Sequence, residues 1–183
     1  AGWPVHGTVG YEYLNLALGL LVDPRNEEAM TAIYERHVGA RRRWPEIEHE
    51  ARRLILRSSL ASELNVLVDA RARIAARSRH SRDFTRGTLS AALTEVIASF
   101  PIYRTYVDER TVEHEPRDLK AIDRAVRMAR RGSPTIDPSV FAFLRDLLTL
   151  ADIVPRDPVF DEEVRALRRG FVMKLQQLTG PLM

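Results

Sequence analysis

No cysteine occurs in the 183 residues, so the fold has neither a disulfide framework nor a thiolate metal site to draw on. Lysine is almost as scarce. Lys120 and Lys174 are the only two, which leaves arginine to carry nearly all positive charge behind a formal net charge of +3. That bias reads as codon composition more than function. Long apolar runs are missing too. The longest, Leu16 to Val22, contains Gly19 and falls far short of the roughly 20 residues a membrane span needs. No basic-then-apolar leader opens the sequence. These absences lead us to expect a soluble, cytoplasmic protein with no membrane partner.

What is present is helical periodicity. A chain of this length supports one core that buries about 70% of the unfolded surface, and a single domain over 1–183 is expected. Residues 1–9 form a non-helical lead-in with Gly2, Pro4 and Gly7 as breakers. A short helix is expected from Tyr11 to Leu20, closed by Asp23-Pro24. A second runs from Glu27 to Val38, with Asn26 as its cap and Gly39 as its stop. The longest pattern covers Glu46 to about Arg79, where Ser58-Ser59 kinks or divides it. Asp83 or Thr85 caps the next helix, with Leu89, Leu93, Val96, Ile97 and Phe100 as its stripe. Another begins at Glu115-Pro116 and lasts to Arg131. Asp137-Pro138 and Asp157-Pro158 each place a cap before a proline at the first helical position, opening two more helices, the last through Leu178. Some seven helices and little or no sheet make the fold class all-α.

One stretch breaks the pattern. In Phe100-Pro101-Ile102-Tyr103-Arg104-Thr105-Tyr106, Pro101 cannot continue the preceding helix. The residues after it favour extended backbone and alternate aromatic with polar side chains. An interruption of this kind in a helical protein is a candidate for ligand contacts; a loop anchored by buried tyrosines is the plainer reading.

Other constellations point to structure rather than chemistry. Asp161-Glu162-Glu163 sits in a first helical turn, where the helix dipole favours acids. No carboxylate spacing implies a glycosidase pair. His6, His37, His49, His80 and His114 are scattered, and His49-Glu50 lacks the second histidine four residues on that a zinc helix uses. Gly7-Thr8-Val9-Gly10 is neither a phosphate loop nor a dinucleotide fingerprint. No metal and no cofactor are expected. Arg71, Arg73, Arg77, Arg79, Arg82 and Arg86 cluster with no interleaved aromatic from 71 to 82, which reads as a solvated helix face, not a nucleic-acid site. The first and last residues, Ala1-Gly2-Trp3-Pro4-Val5 and Gly180-Pro181-Leu182-Met183, are apolar and read as cut from something longer.

Three stretches, in order, carry a resemblance. Gly2-Trp3-Pro4-Val5-His6-Gly7-Thr8-Val9-Gly10-Tyr11-Glu12-Tyr13-Leu14-Asn15 resembles the Trp-Pro-Val and Gly-Thr-Thr-Gly-Tyr-Asp-Phe-Leu-Asn segment of maltooligosyltrehalose synthases. Phe100 to Tyr106 is similar to their Phe-Pro-Val-Tyr-Arg-Thr-Tyr. Gln176-Gln177-Leu178-Thr179-Gly180-Pro181-Leu182-Met183 resembles their Gln-Gln and Thr-Gly-Pro-Val-Met stretch. The segments Glu63 to Ala76 and Arg82-Asp83-Phe84-Thr85 fit as well. Val9 for Thr, Glu12 for Asp and Tyr13 for Phe depart from the family, and the first removes a hydroxyl. The resemblance implies an α-amylase-clan isomerase that turns the reducing-end α-1,4 bond of a maltooligosaccharide into an α,α-1,1 bond. It further implies that the catalytic carboxylates lie on a (β/α)8 barrel outside this chain, which is then a helical insertion with no catalytic residue of its own. Its implied partners are the maltooligosaccharide, the remainder of its own barrel and, in function, the trehalose-releasing hydrolase. Thr8, Tyr11, Tyr103, Arg104, Tyr106, Gln176 and Gln177 have suitable chemistry to hold sugar. The three motifs are expected to converge at one end of the helical domain, and its two ends to lie close together. The competing expectation is a stand-alone helical regulatory or scaffold module for a small ligand or partner helix.

Overall fold

The computed structural model describes residues 10–76, 84–108, 114–151 and 158–182. Among them are eight α-helices and no strand, so the protein is all-α. The helices are α1 (Tyr11–Leu21), α2 (Glu27–Val38), α3 (Trp44–Arg57), α4 (Ala61–Ala76), α5 (Arg86–Ala98), α6 (Pro116–Gly132), α7 (Pro138–Leu148) and α8 (Pro158–Leu182). The chain divides into two compact units, Ala1–Trp44 and Pro45–Met183.

In the first unit, Asp23 accepts a hydrogen bond from the Arg25 amide and so opens a short 3-10 turn, Pro24–Asn26. Asn26 precedes α2 but makes no side-chain cap, contrary to expectation. Its amide already turns back to the Asp23 carbonyl, and two glutamates fill the first turn of α2, where the dipole favours them. Gly39 ends α2 in the left-handed conformation (φ 71), which glycine takes without Cβ strain. No residue of α1 or α2 is buried.

The second unit holds the core. α5 is its axis: every residue from Ala92 to Ala98 is buried, Thr94 and Glu95 included. A helix apolar nearly all round must be surrounded, and α4, α6 and α7 pack on it while α8 closes against α4 and α7. Thr85, not Asp83, caps α5, its hydroxyl accepting from the Thr88 amide at 3.2 Å; Asp83 lies outside the described residues. The pattern from Glu46 onward divides at Ser58–Leu60 into α3 and α4. Ser58 donates its hydroxyl to the Leu54 carbonyl at 2.7 Å, the local back-bonding that competes with helix continuation. α6 buries only Asp118, Ala121, Ile122, Ala125, Val126 and Ala129, leaving an arginine-rich outer face. Asp137 caps α7 through the Ser139 amide, as its spacing predicts. α8 continues through Gly180 and Pro181 to Leu182, beyond the predicted end at Leu178. Burial explains part of this: Thr179 is 2% exposed and Leu182 packs against the core of the unit.

Candidate functional site

The segment between α5 and α6 is held at two points from below. At its start, Arg52 of α3 donates to the Phe100 carbonyl at 2.9 Å and the Ala98 carbonyl at 3.3 Å. These carbonyls end α5 and have no helical partner, so a cation there satisfies both hydrogen bonding and dipole. Arg52 is itself steadied by Glu48 at 2.6 Å, one turn earlier. Beside it, the buried Glu95 carboxylate lies 3.0 Å from His49 Nε2 and 2.9 Å from Arg53 Nε, tying α3 to α5.

At the far end the anchor is Gln176 of α8. Its Oε1 accepts from the Val107 amide at 2.9 Å and from the Thr105 hydroxyl at 3.2 Å, and its Nε2 donates to the Val107 carbonyl at 2.6 Å. A single buried side chain thus pairs with both polar groups of one peptide residue, as a neighbouring strand would. Thr105 and Val107 point inward and are buried. Alternation then turns Tyr106 outward, where it is 53% exposed. The anchored-loop expectation therefore needs correction. The loop is anchored, but by Phe100, Thr105 and Val107, while Tyr103 and Tyr106 remain more than half exposed.

The exposed side chains are ordered against neighbours. The guanidinium of Arg104 lies over the Tyr106 ring at 5.0 Å, within cation–π range, and its Nε donates to the Thr105 carbonyl. The Tyr103 ring lies on Gly180, so close that a Cβ built there would meet Tyr103 Cζ and its hydroxyl oxygen at 3.1 Å. Next to this contact a groove of about 400 Å³ opens between α4 and α8. Its aliphatic floor includes Leu67, Leu178 and Pro181, with Glu63, Lys174 and Gln177 as polar lining.

Of the residues expected at the site, Tyr103, Arg104 and Tyr106 are brought together with Gln176 and Gln177. Gln177 lines the groove. Gln176 faces the interior instead, and both its amide oxygen and its amide nitrogen hold the loop. Tyr11 stands in the first unit, 76% exposed on α1. Thr8 lies outside the described residues, as do residues 1–9 on which the expected closeness of the chain ends depends. Sequence reading missed Arg52, Glu63, Lys174 and Gly180. Glu63 and Gly180 fall within segments that carry the resemblance, but nothing in the sequence marked either as a site residue. Among the described residues no group of three or more His, Asp or Glu side chains could hold a metal, and no helix is long and apolar enough to cross a membrane.

The arrangement defines an all-α protein displaying an aromatic and arginine loop beside a groove. Comparison with models of known families, with curated proteins and with solved structures finds no match.

Proposed function

We propose that this chain is the helical insertion of a maltooligosyltrehalose synthase, supplying part of the wall of a sugar pocket whose catalytic carboxylates lie elsewhere in the polypeptide. One observation carries the reading. The two resembling motifs that fall within the described residues, 75 or so positions apart in sequence, meet in space through Gln176 on the loop backbone and Tyr103 on Gly180. Tyrosine faces pack on the C–H surface of a pyranose while phenol, guanidinium and amide groups bond its hydroxyls. In such an isomerase the glycosyl–enzyme bond must be attacked by the anomeric hydroxyl of the released glucose instead of by water. A wall that excludes solvent and holds that glucose favours transfer over hydrolysis. Tyr103 and Arg104 are the groups placed to do so, with Tyr106 and Gln177 at the margin. The enzyme acts in the cytoplasm, and its product is the substrate of a trehalose-releasing hydrolase.

The experiment is incubation of the full-length enzyme with maltopentaose. Reducing ends disappear while a non-reducing, trehalose-ended product accumulates. Tyr103→Ala lowers the ratio of transfer to hydrolysis several-fold. A folded enzyme that leaves maltopentaose reducing ends untouched defeats the reading. A second reading, a helical interaction module, draws on the first unit, where Leu16, Leu20, Leu21 and Tyr13 of α1 are all more than 70% exposed; apolar exposure on that scale marks a surface made to be covered.

A further inference from the structure

We propose that Gly180 is a positioning residue for Tyr103, its bare Cα setting how closely the phenol ring approaches α8. Glycine inside a helix weakens it, because no side chain restricts the unfolded backbone. Gly180 is not required by a positive φ, which among the described glycines only Gly10 and Gly39 have; the restriction on a residue before Pro181 is the same whether or not Tyr103 is present. The explanation is steric. Among the described glycines, Gly10, Gly19, Gly39, Gly132 and Gly170 have nothing within 4 Å of a built Cβ, and Gly87 only Thr85 Oγ1 at 3.9 Å. At Gly180 the Tyr103 Cζ and hydroxyl oxygen stand at 3.1 Å and Cε2 at 3.4 Å. A methyl group there forces the ring to give way by a few tenths of an ångström.

The ring has little freedom to slide sideways instead. Arg52 fixes the loop at Phe100 and Gln176 fixes it at Thr105 and Val107, so the backbone carrying Tyr103 is pinned on both flanks. Gln176 and Gly180 are one helical turn apart and share a side of α8. That one side therefore sets both the backbone and the ring. The functional consequence deepens the sugar-pocket reading and rests on it; the positioning does not.

A double-mutant cycle tests the positioning without any sugar. Gly180→Ala is made in the original sequence and in a Tyr103→Ala background, and thermal midpoints are compared. With Tyr103 absent, Gly180→Ala shifts the midpoint by the backbone terms alone, alanine's helix gain set against the restriction on a residue before proline. With Tyr103 present, the same substitution gives a lower midpoint change, by the cost of moving the ring. Equal shifts in the two backgrounds, of either sign, overturn the proposal. A second arm uses the full-length enzyme and maltopentaose. Gly180→Ala lowers the transfer-to-hydrolysis ratio toward that of Tyr103→Ala, and the double variant is no worse than Tyr103→Ala alone. Coupled midpoints in an enzyme that does not act on maltopentaose would leave the positioning standing and remove the sugar reading. Coupled midpoints with an unchanged ratio in an active enzyme would overturn the functional consequence.

Discussion

Arg71 is the residue whose environment fits it least. It is fully buried, with its guanidinium 5.3 Å from the Phe143 ring and Nη1 donating to the Leu89 carbonyl at 2.6 Å. Among the described residues Nε and Nη2 find no acceptor, and burial pushes the pKa down to about 9. Desolvating an unpaired ion costs several kcal/mol, against about 2 kcal/mol from a charged hydrogen bond and about 1 kcal/mol from the ring. The penalty wins. The folded-state value lies below the unfolded one, so stability is lost as pH falls through 9, and at neutral pH the burden is fully present. Arg71→Met therefore raises stability by about 1 kcal/mol or more in urea unfolding at pH 7; a loss would mean the guanidinium has a partner worth more than its burial. His114 obeys the same logic at lower pH. It is buried beside Asp118, and desolvation holds its pKa below the ordinary histidine value, against the opposing pull of the Leu148 carbonyl and Asp118. Stability from keeping it neutral is present above the unfolded value of about 6.5 and drains as pH falls through the folded one. In His114→Phe the fall in melting temperature between pH 7.5 and 5 is smaller than in the parent; an equal fall assigns the acid sensitivity to other groups.

At the scale of elements, caps and breakers explain where helices start and stop. Thr85→Ala removes the hydroxyl that serves the Thr88 amide and costs about 1 kcal/mol, read as a lower urea midpoint with an unchanged slope. α5 is the axis of the core, so fraying its first turn is felt beyond the helix. Most of this was legible in the sequence. The Asp137-Pro138 start, the Gly39 stop and the apolar stripes fix backbone choices within a few residues of themselves. The division of α3 from α4 was written in Ser58-Ser59, where the Ser58 hydroxyl competes locally. The carry-through of α8 past Gly180-Pro181 was not, because it depends on Thr179 and Leu182 packing against the rest of the unit, and tertiary burial overrides a breaker. The site was half legible. The broken helix at Pro101 marked the loop, but the inward turn of Gln176 and the closeness of Gly180 depend on a partner some 70 residues away.

Across the whole molecule, stability is unevenly spread between the two units. α1 and α2 bury nothing, whereas α5 is enclosed by α4, α6 and α7. Hydrogen exchange should therefore find the α5 amides slowest and those of α1 and α2 orders of magnitude faster; comparable protection in α1 would mean that something covers its leucines in solution. The Gln176 clamp has a consequence in time as well as in space. Val107 and its anchor are 69 residues apart, and ribosomes add about 5–20 residues per second. For roughly 3 to 14 s after it is made, the loop bearing Tyr103 has no Gln176 to hold its backbone. The display surface is thus a late product of synthesis, completed from the distal end.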